Sequence, residues 1–105
     1  MTYNYSVANA VNEKYSWDPE KRELNIKERG LDFVLLADDI FSSTGLVIKQ
    51  DIRHVYDEDR FLAFALVEGK RLCLCFTLRE DRIHLITIFK MHKKQWEAHY
   101  GKSGL

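Results

Sequence analysis

The hydrophobic positions of this chain change from a helical period to a strand period near residue 45. Between residues 33 and 41 they recur at i, i+3, i+4, i+7 and i+8, the spacing of a helix with one apolar face. These positions are Phe33, Leu36, Ala37, Ile40 and Phe41. Asp32 precedes them and can accept a backbone hydrogen bond as an N-cap. The segment therefore predicts an amphipathic helix that packs on the core.

A more polar helix is predicted just before it, in the segment WDPEKRELNIKERG. Asp18 can cap this helix, and Pro19 suits the first helical position because its missing N–H is not needed there. Gly30 can adopt the left-handed conformation that commonly ends a helix. The clear apolar side chains between them are Leu24 and Ile26. Most of this helix is therefore predicted to face water or a ligand.

The second half of the chain contains four β-rich runs. They are LVIKQ at 46–50, RFLAFALV at 60–67, RLCLCFTL at 71–78 and RIHLITIF at 82–89. The connectors EGK and RED are so short that the strands they join must be antiparallel. The following segment, KMHKKQWEAHY, predicts a last helix that packs through Met91 and Trp96.

These elements predict one α+β domain over residues 1–105. It has a short strand near Trp17, two N-terminal helices, an antiparallel sheet of about four strands and a C-terminal helix, with the helices on one face. The chain has 46% hydrophobic and 30% charged residues, as folded soluble proteins do. It shows neither an apolar run of membrane-spanning length nor a signal-peptide pattern. We therefore expect a cytoplasmic protein without a membrane partner.

Charge is unevenly distributed along the chain, although the net charge is zero. Residues 38–59 contain six acidic side chains against one lysine and one arginine, whereas residues 90–105 contain four lysines and one glutamate. Such asymmetry can guide a polyanion to one face and a basic partner to another. It is also ordinary for a solvated surface. Both interpretations remain open from the sequence.

Three segments give the chain a resemblance to a known family. WDPEKRELNIKERGLDF, DIRHVYDEDRF and RIHLITIFK, in this order and spacing, resemble the BrnT family of bacterial toxins, small ribonucleases with a RelE-like fold. The resemblance covers about residues 15–100 and leaves residues 1–13 as an N-terminal extension. The matched positions are Trp17, Asp18, Lys21, Asn25, Gly30, Phe33, Glu58, Arg60, Arg82, Ile83, Ile86 and Lys90, with Thr87 in place of a serine.

The resemblance implies RNA cleavage without a metal ion or other cofactor. Such cleavage needs a base for the 2′-OH, cations for the pentacovalent phosphate and an acid for the leaving 5′-oxygen. Three residues depart from the family. Its Lys-His pair before the glycine is Glu28-Arg29 here, and a late arginine is Phe89. Arg29 keeps a cation but cannot act as a base.

We take Arg29, Glu58 and Arg60 as the candidate catalytic residues implied by this resemblance. Glu58 could serve as the base if burial raised its pKa, while Arg60 held phosphate. Because Glu58 lies between Asp57 and Asp59, an ordinary loop surface is an equally good interpretation.

Five further side chains are candidate contacts to RNA: Lys21, Lys27, Arg82, His84 and Lys90. The two lysines of the first helix are equally compatible with solvated charge. His84 is predicted either to contact phosphate or to be a half-exposed surface histidine. His54 is a weaker candidate in the loop before Arg60. We expect no metal site, because neither the histidines nor Cys73 and Cys75 have partners at ligand spacing.

The resemblance implies the toxin of a type II toxin–antitoxin pair, a ribonuclease that stops growth and translation. A cognate antitoxin would neutralise it, and the antitoxin's ribbon-helix-helix domain would let the complex bind operator DNA. The alternative is a catalytically impaired relative that binds RNA or a partner protein, which the loss of the histidine and the late arginine favours. A metal-dependent hydrolase would need clustered ligands that the sequence lacks.

Overall fold

The computed structural model describes residues 9–53, 55 and 57–100. Residues 1–8 of the predicted extension and the weak candidate His54 lie outside this part of the chain. Six strands and three helices occur in it, in the order β1 (Ala10–Val11), β2 (Tyr15–Trp17), α1 (Pro19–Arg29), α2 (Phe33–Phe41), β3 (Val47–Gln50), β4 (Phe61–Val67), β5 (Lys70–Arg79), β6 (Arg82–Lys90) and α3 (Lys93–Tyr100). The predicted α+β fold class and its order of helices are confirmed.

Both N-terminal helices begin and end where the sequence predicts. The Asp18 side chain accepts a hydrogen bond from the backbone N–H of Glu20 at 2.9 Å, and Asp32 accepts one from Val34 at 3.0 Å. Gly30 has φ 68°, in the left-handed region, and its N–H donates to the carbonyl of Ile26. These local contacts fix the bounds of α1 and α2.

The six strands form one sheet in the order β1-β2-β6-β5-β4-β3. The hairpins β4–β5 and β5–β6 are antiparallel, as their short connectors predict. Two details of the prediction are wrong. The sheet has six strands in the described residues rather than about four, and β2 runs parallel to β6. The parallel pair is possible because α1, α2 and the rest of the sheet separate these two strands along the chain.

The predicted placement of all helices on one face is also wrong. Phe33, Ala37 and Ile40 of α2 belong to a core with Ala63 and Leu74 on one side of the sheet. Alternate strand residues face the other way and form a second core under α3. Its buried members are Leu62, Phe64, Cys73, Cys75, Met91 and Trp96. We call the side of the sheet that carries this second core the α3 face. None of the helices in the described residues has the length and apolar character needed to cross a bilayer.

Candidate functional site

The α1 helix lies against the part of the outer edge of β6 that β2 does not cover. Strand β2 covers this edge only at residues 83–85. Farther along, the buried side chain of Asn25 takes its place: Oδ1 accepts from the N–H of Ile88 at 3.0 Å, and Nδ2 donates to the carbonyl of Lys21 at 2.8 Å. A side-chain amide therefore satisfies a backbone group that a further strand would otherwise pair.

We expect Asn25→Ala to lower the free energy of unfolding by about 1–3 kcal/mol, because it leaves the buried N–H of Ile88 without its acceptor. Asn25→Asp keeps an acceptor oxygen at the same place and should lose less. Urea denaturation of the two variants tests this. Equal stability of Asn25→Ala and the wild type would contradict the role of Asn25.

Arg29 is held against the same strand edge. Its Nη1 donates to the carbonyl of Ile88 at 3.0 Å, to Thr87 Oγ1 at 3.0 Å and to Asn25 Oδ1 at 3.2 Å. Thr87 Oγ1 in turn donates to Asn25 Oδ1 at 3.1 Å. Within the described residues the hydrogen bonds of Arg29 all use Nη1, so Nε and Nη2 of this exposed side chain are available to a ligand. Arg29 is thus a cation with a fixed orientation.

Lys21, Asn25 and Arg29 follow one another at i, i+4 and i+8 along α1, and we call them the α1 row. The half-buried Lys21 shares the side of the helix that meets β6. Burial raises the pKa of the Cys75 thiol. The positive charge of Arg60 opposes this rise, and the charge of Lys21 opposes it to a smaller extent. Lys27 lies off this row and is exposed. The two lysines, which the sequence made equal candidates, therefore differ in the structure: Lys21 lies on the side of α1 that meets β6, and Lys27 does not.

Glu58 forms a two-pronged ion pair with Arg79. Nε and Oε1 are 3.0 Å apart, and Nη2 and Oε2 are 2.6 Å apart. These hydrogen bonds lower the pKa of Glu58 from its ordinary value, and burial opposes them less strongly. Glu58 therefore lacks the raised pKa that would make it an efficient base. Arg79, which pairs with it, was not among the sequence candidates.

His84 is buried rather than half-exposed, with 5% of its surface accessible. Its Nδ1 lies 2.8 Å from Ser16 Oγ on the neighbouring strand β2. Burial and then the charge of Arg79 lower the pKa of His84, while Glu58 opposes them. A histidine in this setting is neutral near pH 7. The surface-histidine interpretation of His84 is wrong, whereas a contact to phosphate stays a prediction.

The stability of the fold should depend on pH through His84. In the unfolded chain a histidine titrates near pH 6.5. Because the folded state lowers the pKa of His84, it binds fewer protons than the unfolded state below that pH. The contribution of His84 is therefore complete above about pH 6.5 and is lost as the pH falls through the folded-state value.

His84→Leu should flatten this dependence, measured as the free energy of unfolding from about pH 5 to pH 8. His92→Gln, at an exposed histidine, is the matched control and should keep the wild-type slope. A slope that persists in His84→Leu would assign the dependence to another group.

The remaining candidates lie at two ends of β6. Arg82 is half-buried, donates from Nε to the carbonyl of Asn12 at 2.7 Å and faces Arg79 across the β5–β6 hairpin. Lys90 is exposed at the last position of the strand. Neither contacts the α1 row through a hydrogen bond in the described part of the chain.

Three candidates act on the paired residues Cys75 and Thr87, whose side chains share the α3 face. Arg29 bonds to Thr87, while the charges of Arg60 and Lys21 act on the Cys75 thiol. His84, which pairs with Thr77 farther along the same two strands, also senses the charges of Glu58 and Arg60. Beside Glu58 and Arg60 lies an open pocket of about 230 Å³, whose other lining residues are Gln50, Asp51, Ile52, Val55 and Asp59. The pocket is thus lined by Arg60 and by three carboxylates, those of Asp51, Glu58 and Asp59, and an anionic backbone could approach from the side of the cations.

The resemblance matches Asn25 and places Thr87 where the family has a serine, but the sequence did not indicate the contacts of either residue, and it did not point to Ser16 or Arg79. A helical projection of α1 is the one signal that could have placed Asn25 between Lys21 and Arg29. Among the described residues, no group of three or more His, Cys, Asp or Glu side chains could hold a metal ion.

The acidic stretch 38–59 is partly neutralised within the fold. Asp38 pairs with Lys14 at 2.8 Å, and the buried carboxylate of Asp51 pairs with Arg53 at 2.8 Å. With Glu58 bound to Arg79, three of the six acidic side chains have a cationic partner among the residues that the structure describes. The stretch therefore offers less uncompensated charge to a basic partner than its composition suggests.

Comparison with profiles of known protein families gives one description for this chain. Residues 17–95, more than half of the 105 residues, match the family described as the ribonuclease toxin, BrnT, of type II toxin–antitoxin systems. The matched segment begins at Trp17 before α1 and ends within α3, so it contains all the candidate site residues. A search of curated proteins found no match.

Proposed function

The chain belongs to the family of BrnT ribonuclease toxins of type II toxin–antitoxin systems, and on this premise we propose that it cleaves RNA without a metal ion at the α3 face. Action on cellular RNA would inhibit translation and growth in the cytoplasm. The single observation that carries the proposal is the fixed position of Arg29, whose guanidinium donates to Thr87 and to the carbonyl of Ile88 and, among the described residues, leaves two further nitrogens for a phosphate.

Three cations, Arg29, Arg60 and Lys21, suit the reaction because its transition state carries extra negative charge on phosphorus-bound oxygens. Arg29 is fixed by Thr87 and the carbonyl of Ile88, so little of its conformational freedom has to be lost when it binds phosphate. Its Nε and Nη2 can present two parallel donors to a phosphate. Arg60 is half-buried, where donors act more strongly than in water.

In the proposed reaction the 2′-oxygen attacks the adjacent phosphorus as its proton leaves to a base. The bond to the 5′-oxygen then breaks, and that oxygen takes a proton. The products are a 2′,3′-cyclic phosphate and a free 5′-hydroxyl, with no water or redox partner consumed in this step. Arg29, Arg60 and Lys21 stabilise the pentacovalent phosphate between the two stages.

The proton acceptor in this proposal is Glu58, acting as a weak base. Its carboxylate is half-exposed and lies close enough to Arg60 to feel its charge. Its ion pair with Arg79 keeps it ionised but lowers its affinity for a proton. A base with a pKa far below the operating pH transfers protons inefficiently, so cleavage should be slow.

Arg79→Gln should therefore move the acid limb of the pH profile of kcat/KM to higher pH. The substitution removes the hydrogen bonds that lower the pKa of Glu58, so Glu58 must lose its proton at a higher pH. The profile would be measured from about pH 3 to pH 7, which spans the ordinary titration of a glutamate. Glu58→Gln should abolish the residual cleavage altogether. An unmoved acid limb in Arg79→Gln would assign the base to another residue.

The alternative proposal is a catalytically impaired family member that binds RNA or a partner protein. Two observations favour it: Arg29 stands where the resemblance expects a histidine, and the pKa of Glu58 is lowered. RNA binding without turnover, in a folded protein, is the outcome that distinguishes it from the slow enzyme.

We also propose that a cognate antitoxin binds this protein and carries a ribbon-helix-helix domain through which the complex contacts operator DNA. Membership of a toxin–antitoxin family supports the existence of this partner. Because at least three of the six acidic side chains at 38–59 are paired within the described part of the chain, we expect charge to speed the encounter only modestly.

The test is expression of the chain with and without the small reading frame adjacent to its gene. Growth arrest and RNA cleavage that the neighbouring product reverses, together with recovery of a complex in a pull-down, would support the proposal. Absence of a complex at micromolar concentration would count against the antitoxin.

A further inference from the structure

Phe89 lies on the α3 face, one pleat along β6 from Thr87. Phe89 is paired with Cys73 and Thr87 with Cys75, so both side chains point to the same side of the sheet. Residues i and i+2 of a strand are about 7 Å apart. Since Arg29 donates to Thr87, the ring of Phe89 is the nearest aromatic neighbour of that contact along β6. The ring of Phe89 and the Thr87 contact of Arg29 therefore lie one pleat apart along β6.

The ring is only partly covered by the second core. Cys73 and Met91 beside it are 1% and 3% exposed, whereas Phe89 is half-buried at the margin of the cluster. The gap that Phe89 lines with Arg53 and α3 measures about 10 Å³, room for no more than one water molecule. This gap is therefore too small to admit a nucleobase, and a ligand would have to meet the exposed part of the ring.

We propose that Phe89 is a stacking platform for an unpaired nucleobase whose neighbouring phosphate is held by Arg29. The inference rests on the proposed function, because it places RNA on the α3 face. It adds a substrate class: single-stranded RNA, whose bases are free to stack, rather than duplex RNA, whose bases are already stacked on one another.

Position 89 holds phenylalanine where the family pattern has arginine, and this difference fits the proposal. An arginine at position 89 would add a fourth cation to Arg29, Arg60 and Lys21, whereas phenylalanine offers an aromatic surface without charge. Stacking on an aromatic ring tolerates any base, while a cation binds the backbone. This protein would therefore bind one base by stacking, and it would contact fewer phosphates than a relative with arginine at position 89.

The experiment measures binding of a short single-stranded RNA that carries 2-aminopurine and 2′-O-methyl groups, so that it fluoresces and cannot be cleaved. Stacking on Phe89 should quench the fluorescence. Phe89→Leu keeps an apolar side chain but removes the ring, and should weaken binding by about 5- to 150-fold and abolish the quench. Phe89→Trp should restore both.

The matched control is Phe61→Leu, at a half-buried phenylalanine that packs against Phe76 in the opposite core. It should alter stability without altering RNA binding. Phe89→Arg should lose the quench but steepen the dependence of log K on log salt by about 0.7, the value for one added phosphate contact to a single strand.

Unchanged affinity and quench in a folded Phe89→Leu variant would overturn the inference while leaving RNA cleavage untouched. Equal affinity of the wild type for duplex and single-stranded RNA would overturn it as well. Binding with the expected quench but no cleavage of an unmodified RNA would support the inference and contradict the proposed enzymatic function. A wild type that binds no RNA would overturn both.

Discussion

Arg29→His is expected to raise the rate of RNA cleavage, by up to about 10²–10⁴-fold, the contribution of a well-placed general acid or base. The position lies beside Thr87 at the edge of β6 and on the same row as Lys21. A histidine there can take a proton near neutral pH, whereas the arginine cannot. The measurement is single-turnover cleavage of a short RNA at saturating protein concentration.

Arg29→Lys is the matched variant, since it keeps the positive charge and adds no base at neutral pH. It should cleave no faster than the wild type. Both substitutions remove the hydrogen bond from Nη1 to the carbonyl of Ile88, so their stabilities should be compared first. Equal cleavage rates for Arg29→His and Arg29→Lys would contradict the claim that a base at position 29 accelerates cleavage.

Arg60→Ala is expected to lower kcat/KM by about 10²–10³, the usual effect of losing one donor to a developing oxyanion. Arg60 is half-buried on the α3 face, and its charge reaches Cys75, Glu58 and His84. Arg60→Lys should recover part of the loss, because a lysine keeps the charge but not the planar pair of donors.

Lys70→Ala is the control for Arg60→Ala. Lys70 is an exposed cation at the start of β5, in the hairpin away from the α1 row. Its removal changes the net charge by the same amount. A similar loss of kcat/KM in both variants would therefore show that Arg60 acts only through general electrostatic attraction of RNA. A loss confined to Arg60→Ala would support a contact with the reacting phosphate.

Features governed by near neighbours in the chain could be predicted from the sequence. The caps at Asp18 and Asp32 depend on backbone groups two residues away, and Gly30 is the residue that can take the left-handed conformation at the end of α1. The hairpins follow from connectors too short for any other link. Periodicity and connector length therefore sufficed for the three helices and for strands β3 to β6 in chain order, but not for β1.

Features that join distant parts of the chain could not be predicted in this way. Ser16 and His84 are 68 positions apart, and the burial of His84 follows from the unforeseen parallel pairing of β2 with β6. The hydrogen bond from Ile88 to Asn25 spans 63 positions. No hydrophobic period encodes either contact, because both depend on which elements pack together.

The protonation behaviour of Glu58 shows the same limit. Its two acidic sequence neighbours suggest a crowded loop, yet its partner is Arg79, 21 positions later on β5. That contact lowers the pKa of Glu58 where burial alone would raise it. The chemistry of the candidate site was therefore less predictable than the residue types that compose it.

The most direct test of RNA cleavage at the α3 face is incubation of the purified protein with a short end-labelled RNA in the presence of a metal chelator. We predict slow cleavage that persists in chelator, yields 2′,3′-cyclic phosphate and 5′-hydroxyl ends, and is lost in Arg60→Ala. Absence of cleavage by both the wild type and Arg29→His, in folded proteins that still bind the RNA, would contradict the account.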